Sequence, residues 1–172
     1  MAGTDEHFPH LDSGGHVHLV DVADKPVSRR RAVATGRLMT RADVVALVKA
    51  GRAPKGDVLA VARVAAIQAV KRTSEWIPLA HPVPVEHIAV EIGLDADAFW
   101  VQVAVETTAK TGVEMEALTG VSAALLTLYD MLKAQDRGMV LTDIQLEEKT
   151  GGRRGEFHRQ HSRSTHHSSD SD

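Results

Sequence analysis

A few side chains in this sequence have the types that proton transfer and phosphate binding require, and most stand where a helix begins or ends. Lys55, in Pro54-Lys55-Gly56-Asp57, directly precedes a helical stretch. A cation at a helix start opposes the helix dipole, so its placement there has a local cost. An anion held by Lys55 together with free backbone N–H groups would offset that cost; a solvated loop lysine is the plainer alternative. Asp130 and Lys133 lie three residues apart, the spacing of neighbours on one helical face. On position alone a surface ion pair worth a few tenths of a kcal/mol accounts for them. His81 sits in Ile77-Pro78-Leu79-Ala80-His81-Pro82-Val83-Pro84. Pro82 holds it in extended backbone, which suits a fixed ligand contact or proton transfer as well as a half-exposed loop histidine.

Glu114 and Glu116 open a second helical stretch. Thr111 and Glu114 have the spacing of a capping box, and acidic residues complement a first turn. That reading explains Glu114 better than Glu116. Glu116, Gly120, Ala123, Thr127 and Asp130 form a stripe of small and polar residues, along which another helix or another chain can approach closely. At about 1.5 Å per residue, Glu116 and Asp130 stand about 21 Å apart along the axis. One small substrate cannot touch both within one chain. If both act on a ligand, either the site is shared between copies or they belong to different sites.

The elements that must carry these residues follow from hydrophobic period. VHLVDV (17–22) reads as a short strand and 30–39 as a strand interrupted by Gly36. Residues 41–50 read as a short amphipathic helix ended by Gly51. Asp57 is placed to cap a long Ala-rich helix that follows it, apolar nearly all round and ending in Lys71 and Arg72, which complement its dipole. Strands are expected at 85–94 and 99–108 around a tight Asp95–Ala98 linker, a long helix from Thr111 to about Gln135, and a last strand at 139–148. The order strand, helix, strand, strand, helix, strand is that of the ferredoxin-like motif. The expected fold is α+β, an antiparallel sheet covered on one face by two long helices.

Composition narrows the function. The 172 residues are enough for one domain, and 43% hydrophobic content is enough for a core. A net charge of −3 and 3% aromatic content fit neither a general nucleic-acid binder nor an anionic-membrane binder. With no cysteine, thiolate nucleophiles and cysteine metal sites are excluded. No apolar run spans a bilayer, and the N-terminus does not read as a signal peptide, so a soluble cytoplasmic protein is expected. Residues 1–15 read as a flexible segment, 16–152 as the single domain, and 153–172 as a disordered His- and Ser-rich tail. The tail histidines His158, His161, His166 and His167 have no apolar frame to hold a metal, and His81 has no partner histidine nearby in sequence, so no metal ligand is assigned.

Together the stretches HLDSGGHVHLVDV, KGDVLAVARVAAIQAVKRTSEWIPLAHP, TGVEMEALTGVSAALLTLYDMLKAQDRGM and EKTGG resemble the cyclic pyranopterin monophosphate synthases of molybdenum-cofactor assembly, from about His10 to Gly152. The resemblance implies a lyase that converts 3′,8-cyclo-7,8-dihydro-GTP to cyclic pyranopterin monophosphate and releases diphosphate. It implies that Asp130, Lys55 and Lys133 are catalytic. Leu79, Ala80, His81, Met115 and Glu116 would line the substrate pocket, with Glu114 beside them, and Arg30, Lys71 and Lys149 would supply its basic positions. It also implies a homo-hexamer, a trimer of dimers, with active sites between subunits; Lys55 is expected from a neighbouring subunit. No cofactor is called for by any sequence feature, although magnesium bridging the phosphates is compatible with the chemistry. Ala80, Arg31 and Ala109 stand where the family usually has Cys, Glu and Gly. Two other readings share the fold: a ferredoxin-like RNA-binding module, which tight binding of RNA at low salt would favour, and a silent nucleotide- or pterin-binding regulator, which failure to release diphosphate would favour.

Overall fold

The computed structural model describes residues 14–152 and 155–160. Five strands, β1 (Ser28–Met39), β2 (His87–Leu94), β3 (Ala98–Ala109), β4 (Val140–Thr150) and β5 (Phe157–His158), form one antiparallel sheet in the order β2-β3-β1-β4-β5. Between them lie α1 (Ala42–Lys49), α2 (Val58–Lys71), α3 (Thr73–Trp76) and α4 (Glu114–Leu132). The first four strands, taken with α2 and α4, reproduce the ferredoxin-like arrangement that the element order predicts.

Alternation decides which sheet face is covered. Ala32, Ala34 and Leu38 of β1 and Val101, Val103 and Val105 of β3 are fully buried against Ala62, Ala66 and Val70 of α2 and Val121, Leu125 and Leu128 of α4. The stripe of small residues on α4 admits α2 of the same chain. A Cβ on Gly120 would stand 2.8 Å from Val70 Cγ2 and 3.1 Å from Val103 Cγ1, so only hydrogen fits there. The opposite sheet face is polar, with Arg29 paired to Glu106 at 2.5 Å and Arg31 paired to both Glu106 and Glu148. Arg31 is thereby matched by two carboxylates, on the face away from Arg30.

Three local expectations are corrected. Residues 17–22 form no strand beyond a single bridge at Val17, and Val17 and Leu19 remain 66% and 47% exposed. The capping box at Thr111 does not form, because α4 starts later, with Val113 as its N-cap and no side-chain cap bond. Glu114 thus occupies the first helical position, and its carboxylate is turned to Lys149. The long helix expected to run to Gln135 stops at Leu132, and α2 stops at Lys71, where the buried Thr73 hydroxyl donates to the carbonyls of Ala69 and Val70. The expected tail falls partly outside the described residues, as does most of the N-terminal segment. Within 155–160 the tail nonetheless contributes β5, with Glu148 opposite His158 and the Arg159 N–H donating to the Glu147 carbonyl.

Candidate active site

The charged residues singled out above, Lys71 excepted, gather at the two ends of α4. At its C-terminal end, Asp57 caps α2 by accepting from the Ala60 N–H at 2.9 Å. The preceding Gly56 takes φ +85°, a turn that costs glycine little and swings the loop toward α4. Lys55 Nζ, carried by this loop, donates to the Asp130 carbonyl at 3.0 Å and to its carboxylate at 3.3 Å. Lys133 Nζ donates to the other carboxylate oxygen at 2.6 Å. The two ammonium groups, Lys133 foremost, hold the Asp130 carboxyl below its ordinary pKa, so it is ionised across the neutral range. Lys55 therefore comes from the same chain as Asp130 and Lys133, which corrects the expectation that a neighbouring subunit supplies it. A shallow hollow of about 290 Å³ joins Lys55 and Lys133 to Tyr129, Ala134 and Arg137.

At the N-terminal end of α4 lies a much larger hollow, about 1000 Å³. One wall is the loop Leu79-Ala80-His81, stiffened by its prolines and tied to β3 by the buried Thr107 hydroxyl, which donates to the Pro84 carbonyl at 2.5 Å. A second wall is the first turn of α4 with Glu114, Met115 and Glu116. Arg30 of β1 and Lys149 of β4, on neighbouring strands, bring cations to the sheet side. Lys149 stands 3.4 Å from the Glu114 carboxylate. Glu116 is 4% exposed, and burial raises its pKa to about 7, with the Glu114 charge pushing the same way. A hollow with both cations and carboxylates on its walls is equipped to hold a phosphate chain and a hydrogen-bonding ring.

Eight of the nine expected pocket residues line this hollow. Lys71 does not: it is exposed at the C-terminal end of α2 and lines neither hollow. Lys25, Ser28 and Lys110 line the large hollow without having been expected. Lys110 Nζ donates to the Ala23 carbonyl at 2.6 Å and so ties the segment before β1 across the opening. No local pattern in the sequence singles out Lys25 or Lys110, because their place on one hollow depends on loops that fold back. Among the described residues no group of three or more His, Asp or Glu converges as a metal site.

Residues 19–152 match the family model described as the MoaC family. The chain belongs to the MoaC family. A cyclic pyranopterin monophosphate synthase from Thermomicrobium roseum is 52% identical over 159 residues, covering 91% of this chain and 96% of that protein. Another protein of that name, from Dinoroseobacter shibae, is 51% identical over 150 residues, covering 86% of this chain and 95% of its own. The MoaC match begins at Leu19 and ends at Gly152, so it takes in both ends of α4 and every residue of the two hollows.

Proposed function

We infer that this chain is a cyclic pyranopterin monophosphate synthase, a lyase of molybdenum-cofactor assembly that acts on 3′,8-cyclo-7,8-dihydro-GTP. The observation that carries the mechanistic reading is the division of its charged groups between the two ends of one helix. In this reading the large hollow binds the substrate. Glu114, Glu116 and His81 hold the guanine-derived ring, while Arg30 and Lys149 face the phosphates. Opening the five-membered ring and rebuilding it as a pyranopterin requires several proton transfers, which Asp130, Lys55 and Lys133 serve as a coupled acid–base group. A sugar-derived hydroxyl then attacks the α-phosphorus; the bond from that phosphorus to the bridging oxygen breaks, and diphosphate leaves with its charge stabilised by nearby cations.

Glu116 and Asp130 are about 21 Å apart along the helix, so the reading requires two copies of the chain, the Asp130 end of one meeting the hollow of the other. A homo-hexamer built from dimers supplies such contacts. Exposed Val61, Val64 and Leu126 on α2 and α4 are suited to burial between copies. The reading needs no resident cofactor; a magnesium ion, where it takes part, would arrive with the phosphates. Among the described residues no helix is long and apolar enough to cross a membrane, which agrees with a cytoplasmic place of work.

The deciding assay is release of diphosphate from the cyclised nucleotide by the purified protein. Asp130→Asn and Lys55→Ala should each lower turnover by at least about 100-fold, the scale of a lost acid–base group. A folded Asp130→Asn protein with the parental rate would remove that residue from the mechanism.

A further inference from the structure

Arg30 is 9% exposed, yet among the described residues its guanidinium donates only to the carbonyls of Ala109 and Lys110, each at 3.4 Å. A guanidinium has five N–H donors, and a buried charge is costly without good acceptors. This one lines the large hollow, so an anion entering there would supply what the protein leaves short.

The turn that follows β4 lies directly against the guanidinium. Gly151 and Gly152 have φ +86° and +85° and wrap around Arg30. A Cβ on Gly152 would overlap Arg30 Nη1 and stand 3.0 Å from its Cζ. The obstacle here is the charged head itself, which would have to leave its seat. Gly155, whose N–H donates to the Gly152 carbonyl at 3.4 Å, has φ +70° and nothing within 4 Å of its Cβ position. Left-handed backbone is common to both glycines; contact with Arg30 belongs to Gly152.

We propose that Gly152 is a positioning residue for the substrate's phosphates, acting by leaving the space in which the Arg30 guanidinium is held toward the hollow. This rests on the reading that Arg30 faces phosphate. Four variants of the full-length enzyme test it: Arg30→Ala, Gly152→Ala, Gly155→Ala and the Arg30→Ala/Gly152→Ala pair. KM and kcat for diphosphate release, competitive inhibition by inorganic diphosphate, and the thermal midpoint are measured for each.

Loss of the guanidinium should raise KM and weaken diphosphate inhibition by about 10-fold or more, the scale of a charge-assisted hydrogen bond. Gly152→Ala should move both the same way by at least about fivefold, less than removal of the guanidinium itself. Gly155→Ala should lower the thermal midpoint only by the backbone strain common to both glycines and leave KM near the parental value. Once Arg30 is alanine, adding Gly152→Ala should change KM less than about twofold, because contacting residues are not additive. If Gly152→Ala does not fold, the double variant should fold where the single does not. Equal KM for the two glycine variants, multiplying losses in the pair, or no rescue of folding overturns the proposal. An unchanged KM in Arg30→Ala would instead sink the phosphate reading of the hollow, and the role of Gly152 with it.

Discussion

Asp130 lies between Lys55 and Lys133 at hydrogen-bonding distance from both, and all three side chains are about half exposed. Exposed ion pairs contribute little to stability. Asp130→Asn and Lys55→Ala should therefore leave the thermal midpoint within about 4 °C of the parent while abolishing turnover, since exposed pairs of this kind contribute little. Calorimetry on the variants whose rates are measured checks this; a collapse in stability would mean that the trio is structural. Glu116 makes the opposite case. Its pKa in the folded chain is about 7, against an ordinary 4.5. Between those values the folded chain keeps a proton that the unfolded chain has released, so stability falls as pH rises through this window and levels off above it. Glu116→Gln stays neutral throughout. It should be more stable than the parent at pH 8, by up to about 3 kcal/mol, and equal to it near pH 4. Urea unfolding at both pH values checks the sign; equal stabilities at pH 8 would mean that Glu116 is not burdened by burial. The spacing of Asp130 and Lys133, and the cation ahead of a helix at Lys55, could be read from the chain because each is a local relation. That Lys55 turns back onto Asp130 is a relation between residues 75 apart, and the expectation that it came from another subunit failed there.

At the level of elements, the packing of α2 on α4 sets where both hollows lie, because α4 carries residues of both along its length. Gly120 makes this approach possible. Gly120→Val should destabilise the fold by about 1–3 kcal/mol through overpacking against Val70 and Val103, despite a better helix propensity. The midpoint of urea unfolding checks it, and a neutral result would mean that α2 can move away at no cost. The long strands and both long helices were legible because their apolar periods extend over many residues. Residues 17–22 have the same alternation over too short a span, and the segment runs instead toward the large hollow, where Val20 and Val22 are lining residues. The capping box misled for a related reason. Its spacing is right, but the contact between Glu114 and Lys149 on a distant strand competes with a local backbone partner.

The whole molecule matters because the two ends of α4 cannot serve one small substrate in one copy. An inactive variant at the large hollow, His81→Ala/Glu116→Gln, and an inactive variant at the other end, Lys55→Ala/Asp130→Asn, should therefore complement each other. Co-refolded in equal amounts, they form some interfaces whose two halves are both intact. Activity should return to roughly a quarter of the parental value for random dimer assortment, because half the dimers are mixed and a shared site places both defects together at one of the two sites in a mixed pair. Diphosphate release from the mixture checks this, and light scattering should give a mass well above 18.6 kDa for each protein. A fully active monomer would end the shared-site reading.

From the chain alone came the α+β class, the ferredoxin-like order, the family resemblance, and the need for two sites or two copies along α4. These rest on period, on short spacings and on the fixed rise of a helix, all properties of neighbouring residues. Only the tertiary structure decided that α2 fills the small-residue stripe, that Lys55 shares a chain with Asp130, that Lys71 stands outside the hollow, and that Gly152 encloses Arg30. Each of these joins segments far apart in sequence, where the winning contact is chosen by burial and steric fit across the whole fold rather than by any local pattern.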